Sequence, residues 1–285
     1  MRKLLITGRN GFIGKHLNKL LKTKSFEIIN SDNIDAVNLC DWSQVKEISK
    51  VETIIHLASK NFIPESFKQP LSYYNNNILS TLNILEKAKI DGSKVIYFST
   101  YVYGQPQYLP IDENHIKNPL NPYTQSKLIC EELCNAYNRD FDIPVTVFRP
   151  FNIYGSGQNL AFIIPSIINQ INNEYIQLND PTPKRDFIHI DDLVSAVYNS
   201  ILSKQRSFET YNLGTGISTS IGDIVEMIIN FSNSKARAIF SNQIRQGEVF
   251  DTVADISKIK KDLNWEPIIS ISEGLEMFIK ERLTN

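Results

Sequence analysis

The chain has 285 residues, and 30 Lys+Arg against 31 Asp+Glu leave a formal charge of −1. That balance excludes the basic excess of a nucleic-acid binder. With 42% hydrophobic and 21% charged residues, a disordered or coiled-coil chain is excluded too, and the length fits one large domain or two modest ones.

From the start of the chain, short apolar runs predict strands at residues 3–7, 27–30, 36–39, 53–58, 95–99 and 145–149. Each is rich in Ile, Leu or Val and apolar on both faces, as in a parallel sheet covered on both sides. Helical patterns fall between them at 12–22, 43–49, 70–89 and 126–138. The alternation predicts an α/β fold with a doubly wound parallel sheet of the Rossmann type. After Ile153 the rhythm breaks around Gly155-Ser156-Gly157 and Pro181-Thr182-Pro183, with later helices predicted at 164–171, 221–231 and 273–282. Residues 1–152 with 186–214 are therefore assigned to the Rossmann domain. Residues 153–185 with 215–285 are assigned to a smaller mixed α/β substrate-binding lobe at the C-terminal side, over the carboxyl edge of the sheet.

No eighteen apolar residues run together, so no membrane helix is expected. The opening Met-Arg-Lys leads into Leu4-Leu5-Ile6, too short a stretch for a signal-peptide core. Cys40, Cys130 and Cys134 are too few for a disulfide framework and fit a reducing cytoplasm. Cys130 and Cys134, four apart on a helix, read as small buried side chains. His16, His56, His115 and His189 show no metal-ligand spacing, and no metal is expected.

Thr7-Gly8-Arg9-Asn10-Gly11-Phe12-Ile13-Gly14 follows a predicted strand and opens a helix. Gly8 permits a tight turn, Gly11 a close approach of backbone to a pyrophosphate, and Gly14 close helix–strand packing. The helix start offers free N–H groups to phosphates. Asp32 lies about 20 residues on, where a carboxylate binds an adenosine ribose and favours NAD over NADP. Arg9 beside the loop works against that preference, and taken alone Asp32 also reads as a turn residue. Tyr123 and Lys127 stand four apart on one helix face. The ammonium is expected to lower the phenol's pKa toward the neutral range. Thr100, just past a strand end, is placed to orient a substrate oxygen.

With these residues on the page, nearly the whole chain resembles the extended short-chain dehydrogenase/reductase superfamily, in its nucleotide-sugar epimerase/dehydratase/reductase group. Ile55-His56-Leu57-Ala58, Arg149-Pro150-Phe151-Asn152, Arg185-Asp186-Phe187, Tyr211-Asn212-Leu213-Gly214 and Trp265-Glu266-Pro267 extend the likeness. The resemblance implies an NAD(P)-dependent enzyme with Tyr123 as acid/base, Lys127 on the nicotinamide ribose and Thr100 on the substrate. It places Gly8, Gly11, Phe12, Ile13, Gly14, Asp32, Asn38, Leu39, Leu57, Ala58 and Asn77 along the cofactor. Asn152, Arg185 and Arg245 would hold the diphosphate of a sugar donor, and His189 would pack structurally. A cytoplasmic homodimer through the helix bearing Tyr123 and its neighbour is a family-level expectation.

Three departures refine this. Tyr101-Val102 follows Thr100 where dehydratases carry an Asp-Glu pair, and Tyr101 stands where C3/C5 epimerases carry a cysteine. Asn38 replaces a common adenine-binding Asp, after a short connection from Asp32. Fewer adenine contacts suit a cofactor that exchanges. The favoured expectation is thus a reductase of 4-keto nucleotide sugars, the alternative a 4-epimerase with tightly bound NAD. A silent dinucleotide sensor is disfavoured, because Thr100, Tyr123 and Lys127 are all present.

Overall fold

The computed structural model describes residues 2–29, 37–243 and 247–284. In chain order the elements are β1 (Arg2–Thr7), α1 (Phe12–Lys22), β2 (Phe26–Ile28), α2 (Trp42–Val45), β3 (Thr53–His56), α3 (Ile63–Lys68), α4 (Pro70–Asp91), β4 (Lys94–Phe98), α5 (Pro122–Phe141), β5 (Val145–Pro150) and β6 (Asn152–Tyr154). They continue as α6 (Ile163–Ile168), β7 (Tyr175–Leu178), β8 (Lys184–His189), α7 (Ile190–Leu202), β9 (Phe208–Leu213), β10 (Ser218–Ser220), α8 (Ile221–Ser232), β11 (Arg237–Phe240), α9 (Ser257–Leu263) and α10 (Ile271–Thr284).

Six strands form the main sheet in the order β2-β1-β3-β4-β5-β9, with every neighbouring pair parallel. Alternate residues of these strands feed two cores. Leu4, Ile6, Ile55, Ile96, Phe98 and Phe148 enter one, while Leu5, Ile54, Val95, Tyr97, Val145 and Val147 enter the other. This two-sided burial is the physical reason the strands read as continuous apolar runs. The order in which successive strands are added reverses between β1 and β3, which opens a crevice at their carboxyl ends.

A three-stranded sheet β10-β8-β6 and a parallel pair β11-β7 lie beyond. A third core of Tyr154, Ile164, Phe187, Ile224, Leu275 and neighbours underlies them. Ala254, Ile256, Ile259, Leu263 and Trp265 pack instead with the main-sheet core, although the sequence division groups them with the second lobe.

Residues 37–39 of the expected strand at 36–39 form no strand, and Ala36 lies outside the described residues. The Asn38 side chain explains this: its Oδ1 accepts the Cys40 N–H at 3.1 Å, while Gln44 Oε1 accepts the Asn38 N–H at 2.9 Å. Such local bonds make a turn into α2 rather than a strand. Helix α2 itself stops at Val45, short of the expected residue 49, and the helix expected at 126–138 begins at Pro122.

Candidate active site

Two local devices build the cleft floor. At the end of β1, Gly8 takes φ +69°, a left-handed conformation that glycine adopts without steric cost. A Cβ there would stand 2.8 Å from the Ala58 nitrogen, so the turn packs directly against the end of β3. A Cβ on Gly14 would meet the Gly8 and Arg9 carbonyl oxygens at 2.4 and 2.6 Å. Only glycine lets α1 start this close to its own entering turn. Gly11 is exposed and caps the helix without a side-chain bond, and the first turn has no acidic residue. Phe12 and Ile13 are half-buried against the main core. The first amides of α1 are therefore left for an anion, and this donor set fits a dinucleotide pyrophosphate.

Helix α5 is the second device. Asn121 Oδ1 accepts the Thr124 N–H at 2.9 Å, and Thr124 Oγ1 accepts the Asn121 N–H at 3.3 Å, with Pro122 at the first helical position. This capping box fixes the helix start and with it Tyr123 and, one turn on, Lys127. The helix is tied to β5 by a buried pair in which the Arg149 guanidinium donates to the Glu131 carboxylate at 2.6 Å. Arg149 also bonds Tyr103 Oη at 2.9 Å and the Glu113 carbonyl at 3.1 Å.

Thr100 follows β4, and its hydroxyl lies within reach of the Tyr123 phenol, where it favours the phenolate. The electrostatics differ from expectation. Burial pushes Tyr123 up to about 12, opposed by the Thr100 hydroxyl, while Lys127 is pushed down to about 8 by its own burial. The Lys127 ammonium lies 4.4 Å above the centre of the Tyr97 ring. Helical spacing put the two side chains on one face, but desolvation outweighs the expected lowering of the phenol. Ser99, one residue before Thr100, is buried and its Oγ has no hydrogen-bond partner. Sequence reasoning passed over it, although the adjacent hydroxyls Ser99-Thr100 at a strand end were the available signal.

The remaining cofactor-side residues divide. Leu57 and Ala58 line the turn, with the Ala58 N–H donating to Thr7 Oγ1 at 3.2 Å. Asn77 is only 1% exposed. Its Oδ1 accepts the Lys60 N–H at 2.8 Å, and its Nδ2 donates to the Lys60 carbonyl at 3.1 Å and to Ser126 Oγ at 2.9 Å. Its amide is committed to protein partners, which braces this part of the cleft wall. Asn38 is exposed, and the Leu39 carbonyl accepts from the Asn83 amide at 2.9 Å. Asp32 lies outside the described residues.

In the three-stranded sheet, Asn152 pairs in register with Phe187 across β6 and β8, which puts it on the same sheet face as Arg185. Arg185 donates to the Glu248 carboxylate and, at 2.7 Å, to the Lys184 carbonyl. Arg245 lies outside the described residues. Tyr101 stands in the field of Arg185. It packs edge-on against Phe151 and Tyr103 at 5.3 and 5.5 Å, and its phenol donates to the Gly104 carbonyl at 2.7 Å.

The sequence matches the profile of the NAD dependent epimerase/dehydratase family over residues 4–214. The chain belongs to that family. Among its relatives, GDP-6-deoxy-D-talose 4-dehydrogenase of Aggregatibacter actinomycetemcomitans is 33% identical, over 99% of this chain and 98% of its own length. The solved structure of RMD from Pseudomonas aeruginosa, complexed with NADPH, superposes with a TM-score of 0.92 at 27% identity, covering 99% and 98% of the two chains. UDP-N-acetylglucosamine 4-epimerase from Methanobrevibacter ruminantium, in complex with UDP-N-acetylmuramic acid, gives 0.89 at 25% identity over 99% and 98%.

This epimerase/dehydratase family member is accordingly an NAD(P)-dependent enzyme of the extended short-chain dehydrogenase/reductase type. Among its described residues no helix is long and apolar enough to cross a membrane, and no group of His, Cys, Asp or Glu is arranged to hold a metal ion.

Proposed function

We propose that the enzyme reduces a 4-keto nucleotide-diphosphate sugar at C4. The observation that carries this is the Tyr123 phenol, within reach of the Thr100 hydroxyl and kept protonated by burial, which pushes it up to about 12. A protonated phenol is the form that can give a proton to a new alkoxide. Bound NAD(P)H supplies the hydride. Thr100 orients the keto oxygen, Tyr123 delivers the proton, and the Lys127 cation steadies the charge that develops beside them. The phenol of Tyr101 is committed to a carbonyl, so the acid–base pair needed for water loss is not assembled after Thr100. The Asn38 side chain is turned into its own loop, consistent with a cofactor that exchanges. A relative that is a 4-dehydrogenase of a GDP-6-deoxy sugar supports the same carbon and the same kind of substrate.

The second reading is a 4-epimerase, favoured by the likeness to UDP-N-acetylglucosamine 4-epimerase, since oxidation and re-reduction at C4 use the same three residues. Cofactor analysis of the purified enzyme separates them. The reductase is expected to arrive without stoichiometric NAD(H) and to consume one NAD(P)H per 4-keto sugar nucleotide. One tightly held NAD(H) per chain, with no net consumption, reverses the choice. Three free thiols fit a cytoplasmic setting. Exposed Leu71, Leu79 and Ile90 on α4 fit a dimer face there.

A pH profile tests the role of Lys127. Its cationic form is lost as pH rises through about 8, so kcat is expected to decline on a one-proton basic limb near that value. Lys127→Arg, which stays charged, should retain measurable turnover and lack that limb. A wild-type profile flat from pH 7 to 10 contradicts the role.

A further inference from the structure

Behind the cleft, polar groups buried between β1, β3, α4 and α5 form one continuous hydrogen-bonded chain. His56, 1% exposed, has Nδ1 2.7 Å from Thr7 Oγ1 and Nε2 3.2 Å from Thr81 Oγ1. The Thr81 hydroxyl gives its own hydrogen to the Asn77 carbonyl at 2.7 Å. Its oxygen can therefore only accept from His56, which places the ring proton on Nε2 and leaves Nδ1 to accept the Thr7 O–H. Thr7 Oγ1 in turn accepts the Ala58 N–H, whose nitrogen a Cβ at Gly8 would approach to 2.8 Å. At the other end, Asn77 holds Ser126 Oγ at 2.9 Å, and Ser126 donates to the Tyr123 carbonyl at 2.7 Å. Every donor along this line points the same way.

We propose that His56 is a positioning residue that couples the dinucleotide-binding turn to the helix carrying Tyr123, through Thr7 at one ring nitrogen and Thr81 at the other. Among the hydrogen bonds of the described residues, Thr7 and Thr81 are linked through the imidazole. Burial and the Lys127 ammonium hold the ring down to about 3, so it stays neutral and its one-donor, one-acceptor pattern persists across the working pH range. An imidazole suits this place because it spans two hydroxyls with opposite polarity. A phenyl ring of similar shape would fill the volume and break the line at both ends.

The inference rests on the functional reading only in needing a bound dinucleotide, so the test reads dinucleotide affinity rather than sugar turnover. Dissociation constants for NADH and NADPH would be measured for Thr7→Val, Thr81→Val and the double variant, with and without His56→Phe, folding being checked by circular dichroism. Each single change is expected to weaken binding, and the double change to depart from the product of the two by roughly three- to tenfold. That departure should vanish in the His56→Phe background. His56→Gln, which can accept at one end and donate at the other, should recover part of the affinity lost in His56→Phe. Purely multiplicative effects in the wild-type chain overturn the proposal and leave the enzyme class standing, as does coupling that survives without the imidazole. A drop in Tm with unchanged affinity assigns His56 to stability alone and also overturns it. Failure of the intact chain to bind either dinucleotide would remove the functional reading first.

Discussion

Replacing Tyr123 with Phe is expected to lower kcat by roughly 10²- to 10⁴-fold, the span of one well-placed general acid, while dinucleotide affinity stays within about twofold of wild type. The asymmetry follows from where the hydroxyl sits. Its neighbour is the Thr100 side chain, so deleting it removes a contact with the reacting oxygen and none with the glycine turn. The ring remains to fill its place at the start of α5, where the Asn121–Thr124 capping box fixes the backbone. Single-turnover hydride transfer in Tyr123→Phe, measured against equilibrium binding, checks both halves. Unchanged turnover removes Tyr123 from the mechanism. A large loss of binding with unchanged kcat would make it a cofactor-wall residue instead.

The parts of this enzyme legible in sequence are those whose signal is local. The glycine turn announced itself because its three glycines fall within one strand–turn–helix unit, although the contact that demands a glycine at position 8 comes from Ala58 at the end of β3. Tyr123 and Lys127 were found because a helix brings residues four apart onto one face. The capping box at Asn121 was equally local, and its Asn-Pro start marks α5 four residues before the predicted onset. Electrostatics were another matter. Spacing alone suggested that Lys127 would acidify Tyr123, but the ammonium rests on Tyr97, from a different strand, and burial sets both values.

Strand β9 shows why other parts stayed hidden. Phe-Glu-Thr-Tyr-Asn-Leu is too polar to read as a central-sheet strand, yet Tyr211 and Asn212 are fully buried. Their polar atoms are answered from far away: the Asn212 N–H donates to Glu113 Oε1 at 2.8 Å, and its side chain receives the Tyr103 hydroxyl at 2.6 Å. A buried polar group is tolerable only with such partners, and no window of sequence contains them. The His56 chain is hidden for the same reason, its links being 49 and 25 residues apart. Asn38 is the converse case. Its apolar neighbours Val37 and Leu39 suggested a strand, and a side-chain bond two residues ahead decided for a turn.

The glycine turn offers the second large effect, and a way to tell a residue the fold needs from one the ligand needs. In Gly14→Ala the new methyl must displace two backbone carbonyls standing 2.4 and 2.6 Å away, which neither rotamer change nor side-chain movement can relieve. An overpacking cost of about 1–3 kcal/mol should appear as a Tm lowered by several degrees. Because the displaced carbonyls belong to the turn itself, NAD(P)H affinity should also fall, by roughly 5- to 150-fold. Gly11→Ala differs in kind. Its Cβ would meet only the Gly8 oxygen, at 3.2 Å, and Gly11 otherwise faces open space at the start of α1. The folded chain should lose no more than about 1 kcal/mol, from exchanging a glycine cap for alanine. If a pyrophosphate lies against the first amides of α1, that same methyl occupies the phosphate's approach, and affinity should fall tenfold or more with Tm nearly unchanged. Thermal unfolding and dinucleotide titration on the two variants give four numbers. Gly11→Ala binding NAD(P)H as tightly as wild type would mean that the phosphates do not approach the helix start, and that Gly11 serves only the turn.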